Sequence, residues 1–357
     1  MSRFLTEKFK GLSPYVPGEQ PQDMQYVKLN TNECPYPLPP EAFEYARDHL
    51  RALQLYSDPD AKRLRSRLAE VYGLDAAEIM TGNGSDELLY YAVMAFCDDT
   101  CPLVYPQITY GFYPVIADLT HVPVCEIPLK EDFTIDPEDY RKADGTVFIA
   151  NPNAPTGIAL SRSVIEEIVQ AHPDRVVLVD EAYVDFGGES CMPLICRYDN
   201  LLVCRTFSKS RSFAGGRLGF IAGNRQLIAD LNRIRNSCNP YNMNNLTEAV
   251  ALGILNCQET VEKNISRIME DRQYLTDELR VRGFEVLDSK ANFVFARHPE
   301  TSGAVLYEKL KEQGVLVRHF NKDRIRDFNR ITVGTRQELN VLLDRIDRII
   351  GKRGADL

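Results

Sequence analysis

A lysine set among hydroxyls, glycines and an arginine can hold a carbonyl group and a phosphate together, and Arg205-Thr-Phe-Ser-Lys209-Ser-Arg-Ser-Phe-Ala-Gly-Gly-Arg217 offers that set. A single lysine is most often a solvated surface charge. Here Thr206 and Ser208 supply hydroxyls, Gly215 and Gly216 let backbone approach a ligand, and Arg217 adds a planar cation suited to phosphate. An amine beside a phosphate cradle is what the Schiff base of pyridoxal phosphate requires. A second candidate is Gly82-Asn-Gly84-Ser85-Asp86, where a glycine turn precedes a helix whose first amides can face an anion. Read plainly, it is a turn with Ser85 or Asp86 as the helix cap. The third is Asp180, at the carboxyl end of the apolar run Val176–Val179. It is either an ion-pair partner or a site residue, because open α/β sheets bind ligands at strand carboxyl ends.

These residues must be positioned by strands and helices. Apolar runs at 78–81, 102–106, 146–150, 176–179 and 201–204 alternate with helical patterns, the mark of a mainly parallel, doubly wound α/β large domain, assigned to residues 46–245. Residues 1–45, rich in proline and polar residues, read as an extended arm that joins the small domain. Asn30 and Asn32 within it read as turn residues. A helical pattern starts near Pro40 and ends before Tyr56, and another covers Ala61 to Tyr72. Residues 246–357 read as an α+β small domain, with helices over 246–255, 266–282, 304–313 and 338–350 and strands over 284–288, 291–295, 315–318 and 329–334.

Composition narrows the partners. A net charge of −9 over 357 residues argues against nucleic acid or an anionic membrane. Nine scattered cysteines and a start, MSRFLTEKFK, without an apolar core point to a reduced, cytoplasmic setting. The five histidines lack metal-ligand spacing, so no metal is expected. A nucleotide-binding module built on Gly82–Asp86 lacks a phosphate-loop lysine and the spaced glycines of a dinucleotide fold.

The order of these motifs from about Tyr15 to Gly334 resembles the fold-type I pyridoxal-phosphate aminotransferases, and within them the histidinol-phosphate branch most closely. The resemblance implies pyridoxal 5'-phosphate on Lys209, with Lys209 moving the proton of the substrate's α-carbon. It implies Asp180 on the pyridine nitrogen, Tyr183 on the phenolic oxygen and Tyr110 stacked on the ring. The phosphate is expected on Gly84, Ser85, Asp86, Thr206, Ser208 and Arg217, with Tyr56 reaching it from the other subunit of a homodimer. Tyr15, Asn32, Arg318 and Arg330 are expected to bind the substrate, the arginines at its anionic end. The loop Asn151-Pro-Asn-Ala-Pro-Thr-Gly157 departs from the family's NPNNPTG, placing Ala154 where an asparagine usually grips the phenolic oxygen. Asn153 is the alternative donor. Aromatic aminotransferases and threonine-phosphate decarboxylases share this scaffold. A pyridoxal-phosphate-binding sensor domain is the non-enzymatic alternative.

Overall fold

The computed structural model describes residues 2–47 and 53–351. The expected end of the first helix, before Tyr56, falls at 48–52 and so lies outside the described residues, as do the first residue of the arm and the last six of the small domain. The described part of that helix is Pro40–Arg47.

In chain order, the arm carries the short strand β1 (Val27–Lys28). There follow β2 (Ile79–Gly82), β3 (Leu103–Pro106), β4 (Val124–Ile127), β5 (Thr146–Ala150), β6 (Val177–Asp180), β7 (Leu201–Thr206) and β8 (Gly219–Gly223). The C-terminal part holds β9 (Glu285–Val286), β10 (Phe293–Arg297), β11 (Val315–Leu316), β12 (Arg318–His319) and β13 (Asn329–Thr332). The large sheet runs β2-β8-β7-β6-β5-β3-β4, with β8 antiparallel to both neighbours and the remaining pairs parallel. A four-stranded antiparallel sheet, β12-β13-β10-β9, forms the second layer, and β1 pairs with β11 in parallel.

The central strands are buried throughout because helices cover both faces of the sheet. Their side chains alternate between two cores. Val177, Val179, Leu201 and Val203 face one core with Leu64, Leu68, Ile165 and Ile168. Leu178, Leu202 and Phe148 face the other with Leu88, Leu89, Ile116, Ile228 and Leu231. The helix Asn245–Leu255 packs in the first core, although sequence reading gave its residues to the small domain. The next helix, Gln258–Val281, starts eight residues earlier than expected and passes from that core, at Val261, into a third, at Ile268, Leu275 and Leu279. That third core binds the arm, through Leu29, to the C-terminal sheet. Besides β1 in the arm, two strands of the large sheet escaped the sequence reading. Residues Val124–Cys125–Glu126 of β4 are exposed, and β8 is a short glycine-bounded run.

Candidate active site

At the carboxyl ends of β5, β6 and β7 lies a cleft lined by Ser85, Asp86, Tyr110, Ala150, Ala154, Asp180, Ala182, Tyr183, Thr206, Ser208, Lys209 and Arg217. Parallel strands bring these residues together because their C-terminal loops open on one edge of the sheet.

One end of the cleft is electropositive. The helix Ser85–Phe96 begins after Gly84, which caps it without a side chain, so its first amides are left to a ligand. Gly84 sits at φ +83°, and a Cβ there would lie 2.5 Å from the Arg217 guanidinium. Glycine thus lets the arginine close on the helix start. Arg217 reaches Ser208 Oγ at 3.4 Å and Asp86 at 3.5 Å, and Thr206 Oγ1 donates to Ser208 Oγ at 3.0 Å. Gly219 of β8 is needed at the same place, since a Cβ would meet the Ser85 amide nitrogen at 2.5 Å.

The other end is a buried carboxylate. Asp180 accepts the Tyr113 hydroxyl at 2.9 Å and the Ala182 amide at 3.1 Å. Burial pushes its carboxyl up to about 6, against the lowering effect of those two bonds. Tyr110, which donates to Asp86 at 2.9 Å, meets the Tyr113 ring edge-on at 5.7 Å. Between the two ends, Lys209 Nζ donates to the Thr31 carbonyl at 3.2 Å and lies 5.7 Å from the centre of the Tyr183 ring.

These residues fit a planar cofactor carrying a phosphate and a basic ring nitrogen. Free helix amides and Arg217 meet an anion, Asp180 meets a protonated nitrogen, and the Lys209 amine stands between them. Ala150, Ala154 and Ala182 leave room for a ring.

The remaining expected residues stand elsewhere. Asn153 does not line the cleft: its amide donates to the Ile108 carbonyl and to Thr156, and its oxygen accepts from Thr109, so it ties its loop to the segment that follows β3. Asn32 is engaged inside the protein, donating to the Tyr183 hydroxyl at 2.9 Å. Tyr15 lies beside the cleft mouth, edge-on to Tyr110 and Phe112. Tyr56 is 84% exposed and stacks on Tyr241, away from the cleft of its own chain. Arg330 and Arg318 face each other across β12 and β13. Arg330 donates to the Asn30 carbonyl and packs over Phe293 and Phe320, while Arg318 donates to the carbonyls of Val16 and Pro17.

Sequence reasoning missed Tyr113, which reads as one more core aromatic. It also missed the buried cluster below the lysine loop. There Arg205 pairs with Asp185 and reaches Tyr72 at 3.1 Å, Arg211 reaches the same Tyr72 hydroxyl at 2.9 Å, and Ser210 donates to Asp185. Burial alone would raise the Asp185 carboxyl, but Arg205, Arg211 and Ser210 outweigh it and hold it below the usual range. This cluster fixes both sides of Lys209.

A family model for class I and II aminotransferases matches residues 24–346. The chain belongs to the class I and II aminotransferases. It is 47% identical over 340 residues to a histidinol-phosphate aminotransferase of Acinetobacter baumannii strain AYE, covering 94% of each chain. It is 46% identical over 357 residues to one of Gluconacetobacter diazotrophicus, covering 100% of each. The crystal structure of histidinol-phosphate aminotransferase from Sinorhizobium meliloti, in complex with pyridoxal-5'-phosphate, superposes with a TM-score of 0.90 over 99% of each chain at 22% identity, which shows the shared fold. This aminotransferase therefore has the fold-type I architecture and uses pyridoxal 5'-phosphate. Among its described residues no helix is long and apolar enough to cross a membrane, and no group of side chains is arranged to hold a metal ion.

Proposed function

We propose that this aminotransferase moves the amino group of histidinol phosphate to 2-oxoglutarate, as a cytoplasmic homodimer that completes each site with Tyr56 of the other subunit. The observation that carries an anionic substrate is the arginine pair. Like charges directly opposite on neighbouring strands repel each other, and no carboxylate lies within ion-pairing distance of either among the described residues. Burial holds the Arg330 guanidinium below its ordinary value, and its Nε has no partner. An anion at this place relieves both. The relatives' names point to histidinol phosphate, whose phosphate would take the place in one half reaction and glutamate's carboxylate in the other. The homodimer is supported by the exposed apolar side chains Leu55, Tyr56 and Tyr241, and by Phe43 and Leu246, which line a groove that shares Arg217 with the cleft.

When bound, pyridoxal phosphate supplies the electron sink for a carbanion and carries the amino group between the two substrates. In this reading the amides of Ser85 and Asp86, with Arg217 and the Thr206 and Ser208 hydroxyls, hold its phosphate. Asp180 holds the proton of the ring nitrogen, and Tyr110 covers the ring. Lys209 Nζ takes the proton from the substrate's α-carbon as general base and returns it as general acid. The Tyr183 hydroxyl donates to the ring's phenolic oxygen. Tyr15 closes over the substrate. We also propose two domains, the arm belonging to the second and the joint lying along the helix Gln258–Val281 rather than at residue 246.

Purified enzyme is expected to transaminate histidinol phosphate far better than phenylalanine or tyrosine, and to release no carbon dioxide from threonine phosphate. Arg330→Lys should impair both half reactions and leave the cofactor's spectrum unchanged, because an ammonium lacks the planar bidentate grip. Preference for an aromatic amino acid would contradict the substrate while leaving the aminotransferase in place.

A further inference from the structure

We propose that Asn32 is a positioning residue of this active site: its side-chain amide donates to the Tyr183 hydroxyl and so commits the tyrosine's own proton to the cleft. The inference rests on the proposed function and assigns to the arm a part in holding the cofactor.

The orientation of the amide follows from its neighbours. The Asn32 backbone N–H donates to Thr332 Oγ1 at 3.0 Å, which leaves the threonine proton to be given to Asn32 Oδ1, also at 3.0 Å. The Asn32 oxygen is thus the acceptor, and Nδ2 is the group that faces Tyr183, at 2.9 Å. A hydroxyl that accepts from an amide keeps its own proton to donate. No acceptor for that proton is seen among the described residues, and Tyr183 lines the cleft.

Asn32 is held on every side. Its carbonyl accepts from Asn292 Nδ2 at 3.0 Å, and its backbone sits at φ +57°, a region that asparagine tolerates better than most residues. Thr332 and Asn292 belong to the C-terminal sheet region, whereas Tyr183 follows β6 of the large sheet. Asn32 therefore bridges the two layers. Its neighbours act on the same site: the Thr31 carbonyl accepts from Lys209 Nζ at 3.2 Å, and the Asn30 carbonyl accepts from Arg330 at 3.0 Å. Three consecutive residues of the arm thus touch the amine, the phenol and the guanidinium of the site. The need for such a device is local, because Ala154 brings only a methyl group to the cleft and the Asn153 amide is already bonded to the Ile108 carbonyl and to Thr156.

The test is a double-mutant cycle between Asn32→Asp and Tyr183→Phe, read as the dissociation constant of pyridoxal phosphate and the wavelength of its bound visible band. A carboxylate at position 32 accepts the tyrosine proton and turns it away from the cleft. Asn32→Asp is expected to weaken cofactor binding about tenfold and shift the band, in the way that Tyr183→Phe does. In the Tyr183→Phe background it should change neither further. Asn32→Gly, which keeps the φ +57° backbone, should weaken binding by about threefold and be equally silent in that background, and it carries the test if the aspartate variant does not fold. Parent-like cofactor binding and spectrum in Asn32→Asp, or effects that add fully to those of Tyr183→Phe, would overturn the proposal. Failure of the parent to bind pyridoxal phosphate would instead contradict the function on which the inference rests.

Discussion

Asp180 is the residue at which stability and function oppose each other. Its carboxyl, raised to about 6, keeps its proton in the folded chain over a window in which the unfolded chain, at about 4, has already released it. Folding stability therefore falls as pH rises through that window, and above it the buried charge destabilises the cofactor-free protein by about 1 to 3 kcal/mol. The protonated ring nitrogen of the cofactor offsets that charge, so the cost in the empty site becomes binding free energy in the full one. Asp180→Asn should make the cofactor-free protein more stable than the parent at pH 8, with the difference gone near pH 4, and should slow α-proton transfer in single turnovers by orders of magnitude. Thermal unfolding with the same stability difference at both pH values would contradict this assignment. At this scale the sequence singled out side chains that the structure brings into one cleft, since Lys209, Asp180 and Arg217 stand in short motifs. It did not show Tyr113 holding Asp180 or Asn32 holding Tyr183, because those contacts join residues 67 and 151 positions apart. Local spacing carries no record of such pairs.

At the scale of elements, the site depends on the start of the helix Ser85–Phe96 and on the two strands that bracket it, β2 and β8. The absence of side chains at Gly84 and Gly219 lets Arg217 and the backbone of β8 approach the helix start closely. Gly84→Ala puts a methyl group against the guanidinium at a backbone angle that alanine adopts with strain, and should weaken pyridoxal phosphate binding at least tenfold while the far-ultraviolet circular dichroism stays unchanged. Unaltered binding, measured by fluorescence titration, would remove the helix start from the phosphate site. The parallel strands were legible because both faces of β5, β6 and β7 are buried, which writes them as continuous apolar runs. The β8 run, with glycines at both ends, and the exposed β4 lack that signature. The start of Gln258–Val281 was hidden for another reason: the helix changes cores along its length, so its apolar stripe does not keep one face.

For the whole molecule, the position of Tyr56 argues for two subunits. A tyrosine 84% exposed, next in sequence to the exposed Leu55 and stacked on Tyr241, lines no part of its own chain's cleft. Mixing inactive Lys209→Ala subunits with Tyr56→Phe subunits should therefore recover activity. In the mixed dimer one site has both a lysine and the other chain's intact tyrosine. Recovery of about one quarter of the parental activity after random exchange is the expectation, counting half the dimers as mixed with one good site of two. No recovery, with exchange verified by mass, would place Tyr56 outside the catalytic site.

Whether Lys209 carries the cofactor is read most directly by reduction of the holoenzyme with borohydride followed by peptide mass analysis. The visible band is expected to bleach and the phosphopyridoxyl mass to fall on the peptide containing Lys209, with Lys209→Ala unlabelled, inactive and still folded. A label on another lysine, or a Lys209→Ala enzyme with near-parental turnover, would contradict it.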